Sequence, residues 1–139
     1  MREIKFRGRG APRGKQWFYG DLDTHTSGVC ILDNDTLHTV ISETVGQFTG
    51  LKDCEGREIY EGDVIRSYFT PHMRPDVCNG YVVYENGAFY VEYIDHTYAN
   101  LGDLIFYSGT TTSVIGNIHD NPELLYNDEQ SAKSEEVES

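Results

Sequence analysis

A chain of 139 residues with 38% hydrophobic content, ten Tyr and six Phe can bury a core of its own, so folding requires neither disulfides nor a metal. A formal charge of −12 argues against a general nucleic-acid binder, which must neutralise phosphates. No apolar run approaches the roughly 18 residues of a membrane span, and no apolar stretch follows the basic start at residues 1–5, so neither a membrane protein nor an exported one is indicated.

The first fifty residues read as short strands at 4–7, 17–22, 28–32 and 39–41. Turn-formers separate them, in Gly8-Arg9-Gly10-Ala11-Pro12-Arg13-Gly14 and in Asp33-Asn34-Asp35. This spacing predicts a small antiparallel sheet. Six of the 11 basic residues (Arg2, Lys5, Arg7, Arg9, Arg13 and Lys15) fall within this opening stretch. The rest of the chain is acidic, which serves solubility or meets a basic partner.

Residues 51–118 carry a stronger β pattern. Asp53-Cys54-Glu55-Gly56 and Glu61-Gly62-Asp63 read as turns, and Val64-Ile65-Arg66 leads into a strand. The segment 69–79 contains Pro71 and Pro75 and is predicted to be a loop. Tyr81-Val82-Val83-Tyr84, then Glu85-Asn86-Gly87, then residues 88–94 form the clearest hairpin, because Asn-Gly accepts the positive φ of a tight turn. The Gly-, Tyr- and Thr-rich stretch 97–112 reads as a rim or interface loop, and residues 114–118 as a final strand. Asn121-Pro122 looks like a helix start with Asn as cap, worth one or two turns. From Asn127 the chain is polar, acidic and without aromatics, and is expected to be a disordered tail. The fold expected is mostly β, with small antiparallel sheets in a barrel- or sandwich-like arrangement. It would be one domain over 1–126, with a sheet portion at 1–50 and a barrel-like portion at 51–126.

The segment Glu43-Thr44-Val45-Gly46-Gln47-Phe48-Thr49-Gly50-Leu51-Lys52-Asp53-Cys54-Glu55-Gly56-Arg57-Glu58-Ile59-Tyr60-Glu61-Gly62-Asp63-Val64-Ile65 resembles the central signature of the YopX family, departing from it mainly at Cys54-Glu55. Ile4-Lys5-Phe6-Arg7-Gly8, Trp17-Phe18-Tyr19-Gly20-Asp21-Leu22 and the stretches 114–118 and 121–125 also resemble it. The resemblance implies a phage or prophage accessory protein of the bacterial cytoplasm, β-rich and self-associating. It implies no activity and carries over no catalytic residue. Physically, the signature reads as turns at its glycines and core at Phe48, Leu51, Ile59, Tyr60, Val64 and Ile65. The alternative is that Gln47, Thr49 and Lys52 line a recognised surface.

Chemistry-bearing groups are dispersed. Cys30, Cys54 and Cys78 form no CxxC, which suits a reducing compartment. Asp21, Asp23 and His25 alternate and are the best metal candidate, but a solvated strand edge explains them as well. Asp95-His96 and His119-Asp120 read as loop pairs. No nucleophile motif and no phosphate-cradling loop occurs, so no enzyme, metal or cofactor is expected.

The constellation that stands out is N-terminal. Arg7, Arg9 and Arg13, with Lys15 beside them, precede Trp17, Phe18 and Tyr19. Guanidinium forks match phosphates and aromatic faces stack on bases, so Arg7, Arg9, Arg13, Trp17 and Tyr19 form the candidate ligand site. The plainer reading is a strand that packs its aromatics, with basic residues solvated or paired. Two functions compete. One is a non-enzymatic counter-defence binder that sequesters a small anionic host signal such as a nucleotide derivative. The other is an acidic protein-interaction module or DNA mimic acting on a host protein. A structural role in the virion is a third option.

Overall fold

The computed structural model describes residues 3–25, 28–68, 77–94, 96–108 and 111–126. The protein is mostly β, as its turn and alternation pattern requires, and the chain divides into two compact units, Met1–Gly50 and Leu51–Ser139.

In the first unit β1 (Phe6–Arg9), β2 (Trp17–Asp23), β3 (Cys30–Asp33) and β4 (Thr36–Thr39) precede a single 3-10 turn at Ser42–Thr44 and the start of β5 (Gly46–Lys52). The order is β4-β3-β2-β1-β5, antiparallel throughout. Asn34 and Asp35 close the β3–β4 hairpin with φ of 46° and 69°, a conformation their short polar side chains tolerate. The end of β4 returns to the end of β1. Gly10 bridges Val40, the Ala11 N–H donates to the Thr39 carbonyl at 2.9 Å, and the Ile41 N–H donates to the Arg9 carbonyl at 2.8 Å. Ile31, Val40 and Phe48 are buried there. Two boundaries differ from expectation. Gly8 and Arg9 belong to β1 instead of the Gly-rich turn, because a Gly8 Cβ would stand 2.8 Å from Val40 Cγ2 and only glycine lets the strand pass. The fourth strand is Thr36–Thr39, ahead of the expected 39–41, because the hairpin turn takes only Asn34 and Asp35.

In the second unit the chain leaves β5 through a turn at Asp53 into β6 (Glu58–Tyr60), then follows β7 (Asp63–Tyr68), β8 (Val77–Glu85), β9 (Ala88–Tyr93), β10 (Tyr98–Asn100), α1 (Leu101–Ser108) and β11 (Thr112–Asn117). Five strands form an antiparallel sheet in the order β10-β9-β8-β7-β11. This sheet is open, with β10 and β11 at its edges, so the barrel-like expectation is not met. The Asn86-Gly87 hairpin forms as predicted, with φ of 50° and 83°. Alternation sends Val82, Val91 and Tyr93 to one face, where they pack with Ile59, Ile65, Leu101 and Leu104.

The turns of the second unit are fastened by buried carboxylates. The Asp53 side chain is fully buried and accepts the Glu55 and Arg57 N–H groups, each at 2.9 Å, the Arg57 Nε at 3.0 Å and the Val114 N–H at 2.9 Å. Burial pushes its carboxyl up, but these donors prevail and hold it below the ordinary value of 3.8. Asp63 Oδ2 accepts the Tyr60 N–H at 2.7 Å across the Gly62 turn.

Three further expectations change. Residues 77–79 begin β8 and are not loop, while 69–76 lie outside the described residues. The stretch 97–112 holds β10 and α1 in place of a loop. Its apolar residues Leu101, Leu104 and Ile105 recur at helical spacing, and Asn100 Oδ1 accepts the Asp103 N–H at 3.1 Å, the bond of an N-cap. Asn100→Ala should therefore cost about 1 kcal/mol in chemical denaturation, and Asn100→Asp should retain most of that. At the C-terminal end, i to i+3 bonds at 121–126 make the expected short helical turn. Asn121, however, does not cap it with its side chain, whose oxygen accepts the Asn117 N–H at 3.3 Å. The expected tail from Asn127 lies outside the described residues. No helix among the described residues is long and apolar enough to cross a membrane.

Candidate functional site

The β1–β2 ladder pairs Arg7 with Tyr19 and Arg9 with Trp17. Side chains alternate along each strand, so Arg7, Arg9, Trp17 and Tyr19 share one face of the ladder. Four of the five sequence candidates thus come together. Arg13 stands apart on the exposed loop that joins the strands. That loop is held at its base by the Gly10 N–H on the Gln16 carbonyl at 3.0 Å and tightened by the Gly14 N–H on the Gly10 carbonyl at 2.8 Å.

The shared face is unevenly open. Arg7 is buried, and its guanidinium lies 4.7 Å from the centroid of the Trp17 ring, reaching it diagonally across the ladder. A desolvated cation over an indole is worth about 2 kcal/mol, so this pair stabilises the strands and occupies one face of the ring. Lys5 makes a similar contact, 5.4 Å from the centroid of the Phe48 ring. Trp17 and Arg9 are half-buried, while Tyr19 is 44% exposed. Arg7, Arg9, Trp17 and Tyr19 thus share a face, on which Arg7 and Trp17 are engaged with each other. The exposed members of the group are Arg13 and Tyr19, with Arg9 half-buried.

The opposite side of the same loop bounds a cleft of about 510 Å³, lined by Lys15, Gln16, Phe18, Leu37 and His38. Phe18 alternates away from the Arg and Trp face and stacks on His38, with ring centroids 3.8 Å apart and planes 10° apart. Sequence reasoning missed this cleft. The middle aromatic of Trp17-Phe18-Tyr19 had to face the other way, but the partner from β4 is visible only once β4 returns to β1.

The other candidates do not assemble. Asp23 Oδ1 accepts the His25 N–H at 2.8 Å and lies 3.7 Å from His25 Nδ1, which is the local turn of a strand end, and Asp21 is exposed. Among the described residues no three His, Cys, Asp or Glu side chains converge as metal ligands. Cys30 is buried with Sγ 3.8 Å from Thr39 Oγ1, and Cys54 is exposed in its turn. His72, Asp95 and the Cys78 side chain lie outside what is described. His119 donates its N–H to Asn117 Oδ1 at 3.0 Å. Of the alternative surface in the signature, Thr49 is buried, Gln47 half-buried and Lys52 exposed.

Comparison with known proteins gives a consistent result. Residues 14–126 match the family model described as YopX protein. The structure is similar to that of protein EF1440 from Enterococcus faecalis, at 25% identity and a TM-score of 0.57, over 90% of this chain and 99% of that one. It is also similar to protein yopX from Bacillus subtilis, at 24% identity and a TM-score of 0.52, over 90% of this chain and 97% of that one, a likeness of fold alone. No curated protein matches the chain.

Proposed function

The chain belongs to the YopX family, and from that premise we propose that it is a non-enzymatic, phage-borne accessory protein of the bacterial cytoplasm that captures a small anionic molecule, such as a nucleotide derivative released in host defence. The observation that carries this reading is the β1–β2 register, which gathers Arg7, Arg9, Trp17 and Tyr19 on one face beside the loop bearing Arg13. In this reading Arg7 holds the Trp17 ring in place. Arg9 and Arg13 meet the phosphates, and Tyr19 offers a stacking face. Self-association would enclose the ligand between subunits, as many binding sites require.

Calorimetric titration of a nucleotide panel into wild type and into an Arg9→Ala/Arg13→Ala variant tests the reading. Each lost charge-assisted hydrogen bond should weaken capture by about 1.5–3 kcal/mol. Tyr19→Ala should remove about 1–3 kcal/mol of stacking. Arg9 sits in a strand, so the melting temperature of the variant is measured alongside. Equal affinity in both proteins eliminates the site. Absence of binding by wild type transfers the weight to the second reading, an acidic surface that occupies a host protein.

A further inference from the structure

The outer face of the second unit's sheet carries a side-chain row that the anion reading does not use. Register places Tyr81 of β8 opposite Glu92 of β9, and Glu92 opposite Tyr98 of β10. All three therefore point away from the face that Val82, Val91 and Tyr93 give to the core. The Tyr81 and Tyr98 hydroxyls both donate to the Glu92 carboxylate. Burial and this charged neighbour together push both phenols up. His96, in a turn at φ 67°, brings Nδ1 to 3.4 Å from Glu92 Oε2. The Glu92 side chain is only 16% exposed, while His96 is 85% exposed.

This carboxylate lines a cleft of about 440 Å³ whose other walls include Tyr81, Ile94, Ile118, Leu125 and Tyr126. The lining contains one carboxylate and no Lys or Arg. The basic side chain of the lining is His96, an exposed ring that comes no nearer than 3.4 Å to Glu92, so a cation seated in the cleft can meet the half-buried carboxylate more closely. The aromatic rings add their negative faces. Glu92 has room for one more partner, since a carboxylate offers about four acceptor positions and the two hydroxyls and the His96 ring take up three. A metal ion is a poor match, because hard cations take several oxygen ligands and the cleft offers one carboxylate among apolar walls.

We propose that the cleft centred on Glu92 binds an organic cation, an alkylammonium or guanidinium group, which pairs with the Glu92 carboxylate and lies against the Tyr81 and Tyr126 rings. This site is independent of the anion-binding face of the first unit. Its occupant comes either from a free amine or from a Lys or Arg side chain of a protein.

The test is an NMR titration with butylammonium, butylguanidinium, 1-butanol, butanoate and the peptide acetyl-Gly-Arg-Gly-amide. Both small cations should shift the resonances of Tyr81, Glu92 and Tyr126. They should bind about tenfold or more tightly than 1-butanol and butanoate, the loss expected for one charge-assisted hydrogen bond. Glu92→Gln should bring the cations down to the level of 1-butanol. Tighter binding of the peptide than of butylguanidinium assigns a protein side chain as the occupant, and weaker binding assigns a free amine. The proposal is overturned if 1-butanol binds as well as the cations, if Glu92→Gln leaves their affinity unchanged, or if no cation shifts these residues. The comparison of cation with alcohol uses wild type alone, so it decides the matter even if Glu92→Gln does not fold.

Discussion

Asp53→Ala is expected to lower stability by about 3–5 kcal/mol in chemical denaturation, the usual result of breaking a buried charged network. The carboxylate satisfies three backbone N–H groups and the Arg57 Nε from a fully buried position. One of the donors, Val114, belongs to β11, so the substitution loosens an edge strand as well as the turn. Asp53→Asn keeps an acceptor and should fall between the two. The pH dependence has a definite sign. The Asp53 carboxyl is held below 3.8 in the folded protein, so its contribution is complete above that value and is lost as pH falls through the lower, folded value. Stability measured from pH 6 downward should therefore drop more steeply in wild type than in Asp53→Ala below about pH 4. Parallel acid limbs would show that the network contributes nothing.

Gly20→Ala should be as damaging for the first unit, at about 3 kcal/mol or more. Gly20 lies on β2 beside β3, and a Cβ there would run into the Leu32 carbonyl oxygen. The obstacle is backbone, which cannot rotate away as a side chain could. To admit the methyl the strands must part, and the nearest pairs to yield are Asp21 with Leu32 and Leu22 with Ile31. Ile31 is fully buried, so its packing is lost with the pairing. Gly56→Ala is the control. It carries a positive φ of 83° but has open space around it, so it should cost only about 1–2 kcal/mol, from backbone strain alone. Equal losses at the two glycines would contradict the role given to Leu32.

Local chemistry was legible in the sequence wherever a few neighbouring residues decide the conformation. Asn86-Gly87 fixes its hairpin because both residues accept positive φ. The meeting of Arg7 and Arg9 with Trp17 and Tyr19 followed from alternation in two adjacent strands. What alternation cannot supply is register. The diagonal contact of Arg7 with Trp17 depends on Arg7 opposing Tyr19 and not its neighbour. The Tyr81, Glu92 and Tyr98 row depends on three strands in register, and the Phe18 and His38 stack on β4 returning to β1. The helix α1 was legible but overlooked. Leu101, Leu104 and Ile105 have helical spacing behind Asn100, yet Gly102 and the aromatic residues nearby drew the reading toward a loop. Asp53 was read as a turn former, and its bond to Val114 crosses too much chain for any local pattern to reveal.

That last bond also bears on how fast the protein forms. Asp53 and Val114 are 61 residues apart, and Ser67 meets Thr112 across 45. Between them the chain must complete the β8–β9 hairpin and add β10 and α1 before β11 can dock on β7. Closing so long a segment costs entropy before any contact is gained. The hairpin can form within microseconds, whereas the edge that β11 seals must wait for this closure. Until then β7 has one unpaired side, and a newly made chain is most prone to join a neighbour there.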